Sequence, residues 1–382
     1  MTAYFDHNAS SPLHPDVLDA MLPFLREGAA NASSLHSAGR LARSAIETAR
    51  GQVAALINCP VDAVIFTSGG SEANNYLLKG FLDRKDKRAV VSSQIEHPSL
   101  IEPLNQLEQS GQTVIRLPVN GQGQIDLEPA QQLLAANPTK LLSVMLANSE
   151  TGVLQPVKAL TDCVDRAHCL THSDATQVVG KLPVDMKALG LDALTLSGHK
   201  LQGPQGIGVL AINRKPREVL ISGGAQEKYR RAGTENVAMI VGLGKAAQIA
   251  ALEIEHKRYH LEQLRTVLET RLSALPGVVI FGRQVDRLPN TTYFSIPYYH
   301  GETLLMELDK AGFALASGSA CHSAVTEPSH VLQAMAVDEQ LALNAVRVSL
   351  GMSNTLQEVD ALASRLEALV NKLPAIIRQA AG

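Results

Sequence analysis

Between Ala63 and Val209 the chain alternates between two hydrophobic patterns. Short, nearly continuous apolar runs occur at AVIF (63–66), AVVSS (89–93), TVIRL (113–117), LLSVML (141–146) and DALTLS (192–197). Short runs that stay apolar on successive positions predict strands buried on both faces. SEANNYLLKGFL (71–82), HPSLIEPLNQLEQ (97–109) and VKALTDCVDRAHC (157–169) carry helical spacing between them. Strands alternating with helices predict an α/β domain with a mostly parallel sheet flanked by helices. One long helical pattern then runs from Thr234 to about Leu275. Beyond it, TTYFSIP (291–297) and AVRVSL (345–350) read as strands, and ETLLMELDKAG (302–312) and LQEVDALASRLEALVNKL (356–373) as helices. That mixture predicts a second, smaller α+β domain. The expected division is an N-terminal segment (1–15) packing with the small domain, a large domain over 16–255 and a small domain over 256–382.

Composition narrows the functional classes. Hydrophobic residues make up 45% of the 382 and charged residues 19%, which fits a globular chain. The formal net charge of −3 argues against a dedicated nucleic-acid binder. The opening MTAYFDHNAS lacks a basic region followed by an apolar one. No apolar run reaches the ~18 residues of a membrane span. A cytoplasmic protein is therefore expected. The four cysteines, at 59, 163, 169 and 321, form no disulfide framework and no Cys-x-x-Cys pair. Cys163, His168, Cys169 and His172 match no standard zinc spacing, and no metal is expected.

Three segments carry chemistry. In Thr67-Ser-Gly-Gly70-Ser71-Glu-Ala73 a strand ends, small residues turn the chain and a helix starts. Free N–H groups there can hold an anion, although a plain strand–helix turn looks the same. In His172-Ser-Asp174-Ala-Thr-Gln177, Asp174 falls at a predicted strand end, where α/β sheets bind ligands. It could equally cap a helix. Gln177 is one turn further along the same face. In Ser197-Gly-His199-Lys200, a lysine follows a buried strand. A plain surface lysine is one reading; a lysine whose charge is disfavoured becomes a nucleophilic amine. An anion cradle, a carboxylate for a ring nitrogen and a reactive lysine are together what pyridoxal 5'-phosphate requires.

The run from Asp174 to Gly208 resembles the cofactor-attachment region of the class V aminotransferase family. Asp6-His-Asn-Ala-Ser-Ser-Pro12, Asn31-Ala-Ser-Ser-Leu-His36, Glu96-His97, Arg231-Ala-Gly-Thr234 and Ala316-Ser-Gly-Ser-Ala-Cys321 narrow the resemblance to the cysteine desulfurases. It spans the chain from Tyr4 to Gly351 and implies a pyridoxal-phosphate enzyme of fold-type I. Lys200 would hold the cofactor and move protons, and His97 would stack on its ring and act in acid–base steps. Asp174 would pair with the ring nitrogen, and Gln177 would reach the phenolic oxygen. Gly70, Ser71, Ser197 and His199 would bind the phosphate, and Thr234 would reach the phosphate of a second subunit in a homodimer. Asn31 and Arg347 would clamp the substrate carboxylate. Cys321 would take sulfur from L-cysteine as a persulfide, leave L-alanine, and pass the sulfur to an acceptor protein.

Iron–sulfur assembly, tRNA thiolation and DNA sulfur modification are all compatible destinations for that sulfur. A selenocysteine lyase or another class V chemistry is the alternative, and an idle scaffold is a third reading. Three departures stand out. Ala32 replaces a family Pro, and His7 occupies a position usually held by Tyr or Asn. In Asn148-Ser149-Glu150, Ser149 takes the place of a cofactor-contacting Asn. Either a water bridges the shorter side chain or Asn148 swings in, so Asn148 is also a candidate for the substrate site.

Overall fold

A computed structural model describes residues 2–26, 31–83, 85–297, 299–317 and 327–372. Its centre is a seven-stranded sheet. The order is Val64–Thr67, Gly208–Ile212, Ala193–Ser197, Leu170–Asp174, Thr139–Ser143, Ala89–Ser93 and Val114–Leu117. Only Gly208–Ile212 runs antiparallel to its neighbours; the other pairings are parallel. The short apolar runs become strands because successive residues feed opposite faces. Val64 and Phe66 join one buried cluster and Ile65 the other. Leu142 and Leu141 divide in the same way, as do Val209 and Leu210. Burial on both faces explains why the pattern lacks polar alternation. Gly208 meets the first strand closely: a Cβ there would lie 2.6 Å from Gly69 Cα.

Three sequence-based boundaries shift. The helix expected over 157–169 covers only Val157–Thr161. Asp165 then builds a turn of its own, accepting from Ala167 N through its carboxylate at 3.0 Å and from Cys169 N through its carbonyl at 2.8 Å. Such local bonds compete with helix. The helix expected over 71–82 is α-helical over Gly70–Tyr76 and continues as a π-helical turn, Leu77–Phe81. The strand expected over 141–146 is Thr139–Ser143.

Helix Val237–Ser273 spans the molecule. One stretch of it is long and apolar enough to cross a membrane. Here it contributes Ile240, Leu243, Ala246, Ala247 and Ala250 to the large core, alongside Val17 and Met21 of helix Pro15–Arg26 and Ile46 and Val53 of helix Ser37–Leu56. Its far end contributes Leu261, Leu264, Leu268 and Leu272 to a separate core. That core also contains Phe294, Val346 and Val348 of a four-stranded antiparallel sheet, and Leu362 and Leu366 of helix Leu356–Asn371. Helix Leu356–Asn371 starts with a capping box between Thr355 and Glu358, which satisfies two otherwise unpaired N–H groups. At the N-terminus, strand Ala3–Tyr4 pairs in parallel with Phe313–Ala314, and Phe5 is buried in the same core.

Candidate active site

Above the carboxyl ends of the parallel strands lies a cavity of about 420 Å³. It is lined by Asn8, Ala9, Gly70, Ser71, His97, Ser99, Met145, Ala147, Ser149, Asp174, Thr176, Gln177, Ser197, His199, Lys200 and Arg347. The three chemistry-bearing segments converge because each follows a strand whose carboxyl end points here.

Lys200 closes the short 3₁₀ turn Gly198–Lys200, directly after strand Ala193–Ser197. Its Nζ donates to the carbonyls of Asn8 and Ala9, each at 2.6 Å. Burial pulls its pKa down to about 8, and the Arg347 charge adds to that effect against Asp6 and Asp174. About a tenth of the amine is therefore neutral at pH 7, far more than of a surface lysine.

Asp174 ends strand Leu170–Asp174. Its Oδ1 accepts from Thr176 N at 3.0 Å and its Oδ2 from Asn74 Nδ2 at 2.9 Å. The same Asn74 Nδ2 donates to Ser99 Oγ at 2.9 Å, which leaves the Ser99 hydroxyl hydrogen for His97 Nδ1 at 2.8 Å. Ser99 N also donates to His97 Nδ1 at 3.1 Å, so His97 caps helix Pro98–Gln109. With Nδ1 accepting twice, a neutral His97 carries its hydrogen on Nε2. Burial lowers the His97 pKa, and Lys200 and His330 reinforce this against Asp174. The ring is nonetheless open to the cavity. Asn74 and Ser99 thus connect the carboxylate to the imidazole. Neither was marked by spacing, because Asn74 faces inward from a helix whose pattern reads simply as buried.

At the cradle, helix Gly70–Tyr76 begins with unpaired N–H groups. A Cβ on Gly70 would lie 3.5 Å from Thr176 Oγ1 and 3.9 Å from Ser197 Cβ. Gly70 therefore stands beside Thr176 and Ser197 in the cavity wall. His199 Nδ1 lies 3.2 Å from Ser10 Oγ, and burial lowers its pKa to about 4. Gln177 Nε2 donates to Asn8 O at 3.1 Å.

Arg347 lies on strand Ala345–Ser349. Its Nη2 pairs with Asp6 Oδ1 at 2.7 Å and its Nη1 donates to Ser149 O at 3.1 Å. Its Nε is buried without a hydrogen-bond partner among the described residues.

Three predicted residues do not reach this cavity. Asn31 is exposed, and its Oδ1 accepts from Ser33 N at 2.8 Å. Thr234 is exposed outside the cavity of its own chain, and the expectation for it concerns a second subunit. Asn148 is corrected from a candidate substrate contact to a turn-former. It is buried, its Oδ1 accepts from Glu150 N at 2.9 Å and Thr151 N at 3.0 Å, and its Nδ2 donates to Ile95 O at 3.1 Å. With those bonds made it cannot swing in, and Ser149 itself lines the cavity. Cys321 lies outside the described residues.

The Aminotransferase class-V family model matches residues 3–362. A cysteine desulfurase of Trichormus azollae is 40% identical over 98% of this chain and 94% of its own length. A cysteine desulfurase IscS of Dictyoglomus turgidum is 40% identical over 98% of this chain and 95% of its own. The solved structure of a NifS-like protein superposes with a TM-score of 0.91 at 35% identity, covering 98% of this chain and all of that one. With likeness of this extent in both sequence and architecture, the chain belongs to the cysteine desulfurases of the class-V aminotransferase family.

Proposed function

We propose that the cavity binds pyridoxal 5'-phosphate and that a homodimeric, cytoplasmic enzyme uses it to convert L-cysteine to L-alanine. Sulfur passes to Cys321 and then to a sulfur-acceptor protein. The observation that carries this reading is the convergence of a part-neutral lysine amine, a held carboxylate and a hydroxyl-lined cradle in one cavity. The Thr176 hydroxyl in that cradle is buried with no protein partner among the described residues, so the site has unmet capacity to bind polar atoms.

In this reading the bound cofactor supplies an electron sink for the substrate carbon. Lys200 carries the attachment and takes and returns protons at Nζ. Asp174, its two oxygens already oriented by Asn74 and Thr176 N, holds a proton on the ring nitrogen. His97 presents Nε2–H over the cavity. Gly70, Ser71, Ser197, His199 and Thr176 hold the phosphate, and Thr234 reaches that of the partner subunit. Arg347, braced by Asp6, receives the substrate carboxylate. The Cys321 thiolate attacks the substrate sulfur, and the carbon–sulfur bond breaks. Its electron pair goes to the substrate carbon, which takes a proton and leaves as alanine.

The test is stoichiometric. Protein purified with pyridoxal 5'-phosphate and given L-cysteine with a reductant is expected to yield alanine and sulfide in equal amounts. Pyruvate with ammonia, or no product at all, would overturn the assignment. The same assay with L-selenocysteine separates the lyase alternative.

A second expectation concerns Arg347. Lysine keeps the charge but loses the planar fork that binds a carboxylate through two bonds. Arg347→Lys should raise KM for cysteine about tenfold, the equivalent of one charged hydrogen bond of ~1.5 kcal/mol. An unchanged KM in steady-state kinetics would move the carboxylate site elsewhere.

A further inference from the structure

Behind the cavity wall lies a lysine that the catalytic reading does not use. Lys181 is 3% exposed. Its Nζ lies 2.8 Å from Asn8 Oδ1 and 3.0 Å from Gln177 Oε1. No carboxylate bonds to it among the described residues. Burial holds its pKa well below the ordinary value, and the charges of Lys257, Lys200 and Arg347 push the same way. Burying an amine against two neutral amides costs stability. Its position therefore calls for another explanation.

The amide geometry supplies one. Asn8 Nδ2 donates to the backbone carbonyl of Ser149 at 3.1 Å, and a carbonyl only accepts. Asn8 Oδ1 is thereby turned toward Lys181, and Asn290 Nδ2 supports it at 3.1 Å. Held by that oxygen, the Lys181 amine donates a second hydrogen to Gln177 Oε1. Gln177 must then present Nε2, never its oxygen, to the remaining neighbours. One Nε2 hydrogen goes to Asn8 O and the other is left for the cavity that Gln177 lines.

We propose that Lys181 is a positioning residue that fixes which end of the Gln177 amide faces the bound cofactor. The choice of end sets the sign of the interaction. An N–H stabilises a deprotonated oxygen in the cavity, whereas a carbonyl destabilises it. Without Lys181, Gln177 Oε1 is left buried and unpaired, and of the two contacts that orient the amide only the one to the Asn8 carbonyl remains. This inference rests on the proposed cofactor. It goes beyond that proposal in assigning work to a residue that touches neither cofactor nor substrate.

The experiment is a spectroscopic double-mutant cycle on the pyridoxal-phosphate-loaded protein. The pH midpoint of the cofactor's visible band is titrated in wild type, Lys181→Met, Gln177→Ala and the double variant, with thermal midpoints recorded alongside. Lys181→Met is expected to raise the pH midpoint by about one unit. In the Gln177→Ala background the same substitution is expected to shift it by less than about a third of that, because there is no amide left to orient. A full shift in both backgrounds, or no shift in either, overturns the proposal even if Lys181→Met lowers the thermal midpoint. If Lys181→Met does not fold, Lys181→Gln is read instead. It keeps one N–H donor, and a smaller rise that again collapses without Gln177 is expected. Wild-type protein with no visible cofactor band overturns the cofactor reading together with this one. A normal wild-type band with an additive cycle overturns only the role of Lys181.

Discussion

Lys200→Ala is expected to abolish the visible band of the bound cofactor and to lower turnover by about 10³-fold or more, the scale of losing a positioned proton-transfer group. The geometry leaves no substitute close at hand. Another buried amine, Lys181, also bonds to Asn8, but it is tied to Asn8 Oδ1 and Gln177 Oε1 and does not line the cavity. The chemistry of Lys200 also depends on its surroundings. A surface amine titrates near 10.4, and at neutral pH almost none of it is nucleophilic. Burial brings this one to about 8. Because the neutral form attacks, cofactor uptake by the apoprotein should accelerate as pH rises through about 8 and level off above it. The linkage to stability has a definite sign. The folded-state pKa lies below the unfolded value, so the unfolded chain binds more protons between pH 8 and 10.5. The stability of the apoprotein contributed by this group rises across that window, and the full cost of burial is felt below it. Stopped-flow absorbance after adding pyridoxal 5'-phosphate, repeated from pH 6 to 9.5, measures the uptake. A visible band and normal turnover in Lys200→Ala would sink the assignment.

The parts of this molecule that a reader of the sequence can anticipate share a physical origin. The sheet was legible because its strands are buried on both faces, which erases polar alternation. Asp174, Lys200 and Gly70 were legible because each stands at or within three residues of the end of such a strand, at the edge where α/β sheets bind ligands. Asn8 was not. It lies in a loop with no periodicity, and its bonds run to Ser149, Lys181, Asn290 and Thr291, all far along the chain. Contacts of that range leave no mark on local spacing. Lys181 carries no local signal in Val-Val-Gly-Lys-Leu, and its partner Asn8 lies 173 residues away along the chain. The choice between Asn148 and Ser149 depended on which side chain the turn itself consumes, and the turn is set by Gly152. Its φ is +74°, and a Cβ there would lie 2.8 Å from Thr291. His7, for which the sequence offered no role, is explained by packing. Its ring fills the space over Gly351, where a Cβ would come within 2.1 Å, and burial lowers its pKa to about 4.

Cys321→Ser is expected to separate cofactor chemistry from sulfur transfer. The variant should bind cofactor with the wild-type visible band, and L-cysteine should still perturb that band. Sulfur release should fall by about 10³-fold or more, the scale on which enzymes lose rate when their nucleophile is removed. The described residues on either side of the Cys321 segment motivate this. Strand Ala316–Ser317 enters it paired with the strand that carries Arg347, with Ala316 opposite Arg347 itself. Cys321 follows Ser317 by only a few residues, a reach of at most ~14 Å at ~3.5 Å per residue. On the far side, Ser329 hydrogen-bonds Glu150, the neighbour of Ser149, and His330 Nε2 lies 3.1 Å from Glu96 O, beside His97. Both flanks are therefore tied to Arg347, which lines the cavity, or to the immediate chain neighbours of the lining residues Ser149 and His97. The other thiols are poorly placed. Burial pushes Cys59 up to about 11 and Cys169 up to about 12, so neither is a thiolate at neutral pH. Cys163 is exposed but donates to Ala159 O at 3.0 Å and does not line the cavity. Mass spectrometry of the protein after one turnover should find the added sulfur on the peptide containing Cys321. A Cys321→Ser protein that still yields sulfide and alanine at the wild-type rate would transfer the nucleophile's role to another group.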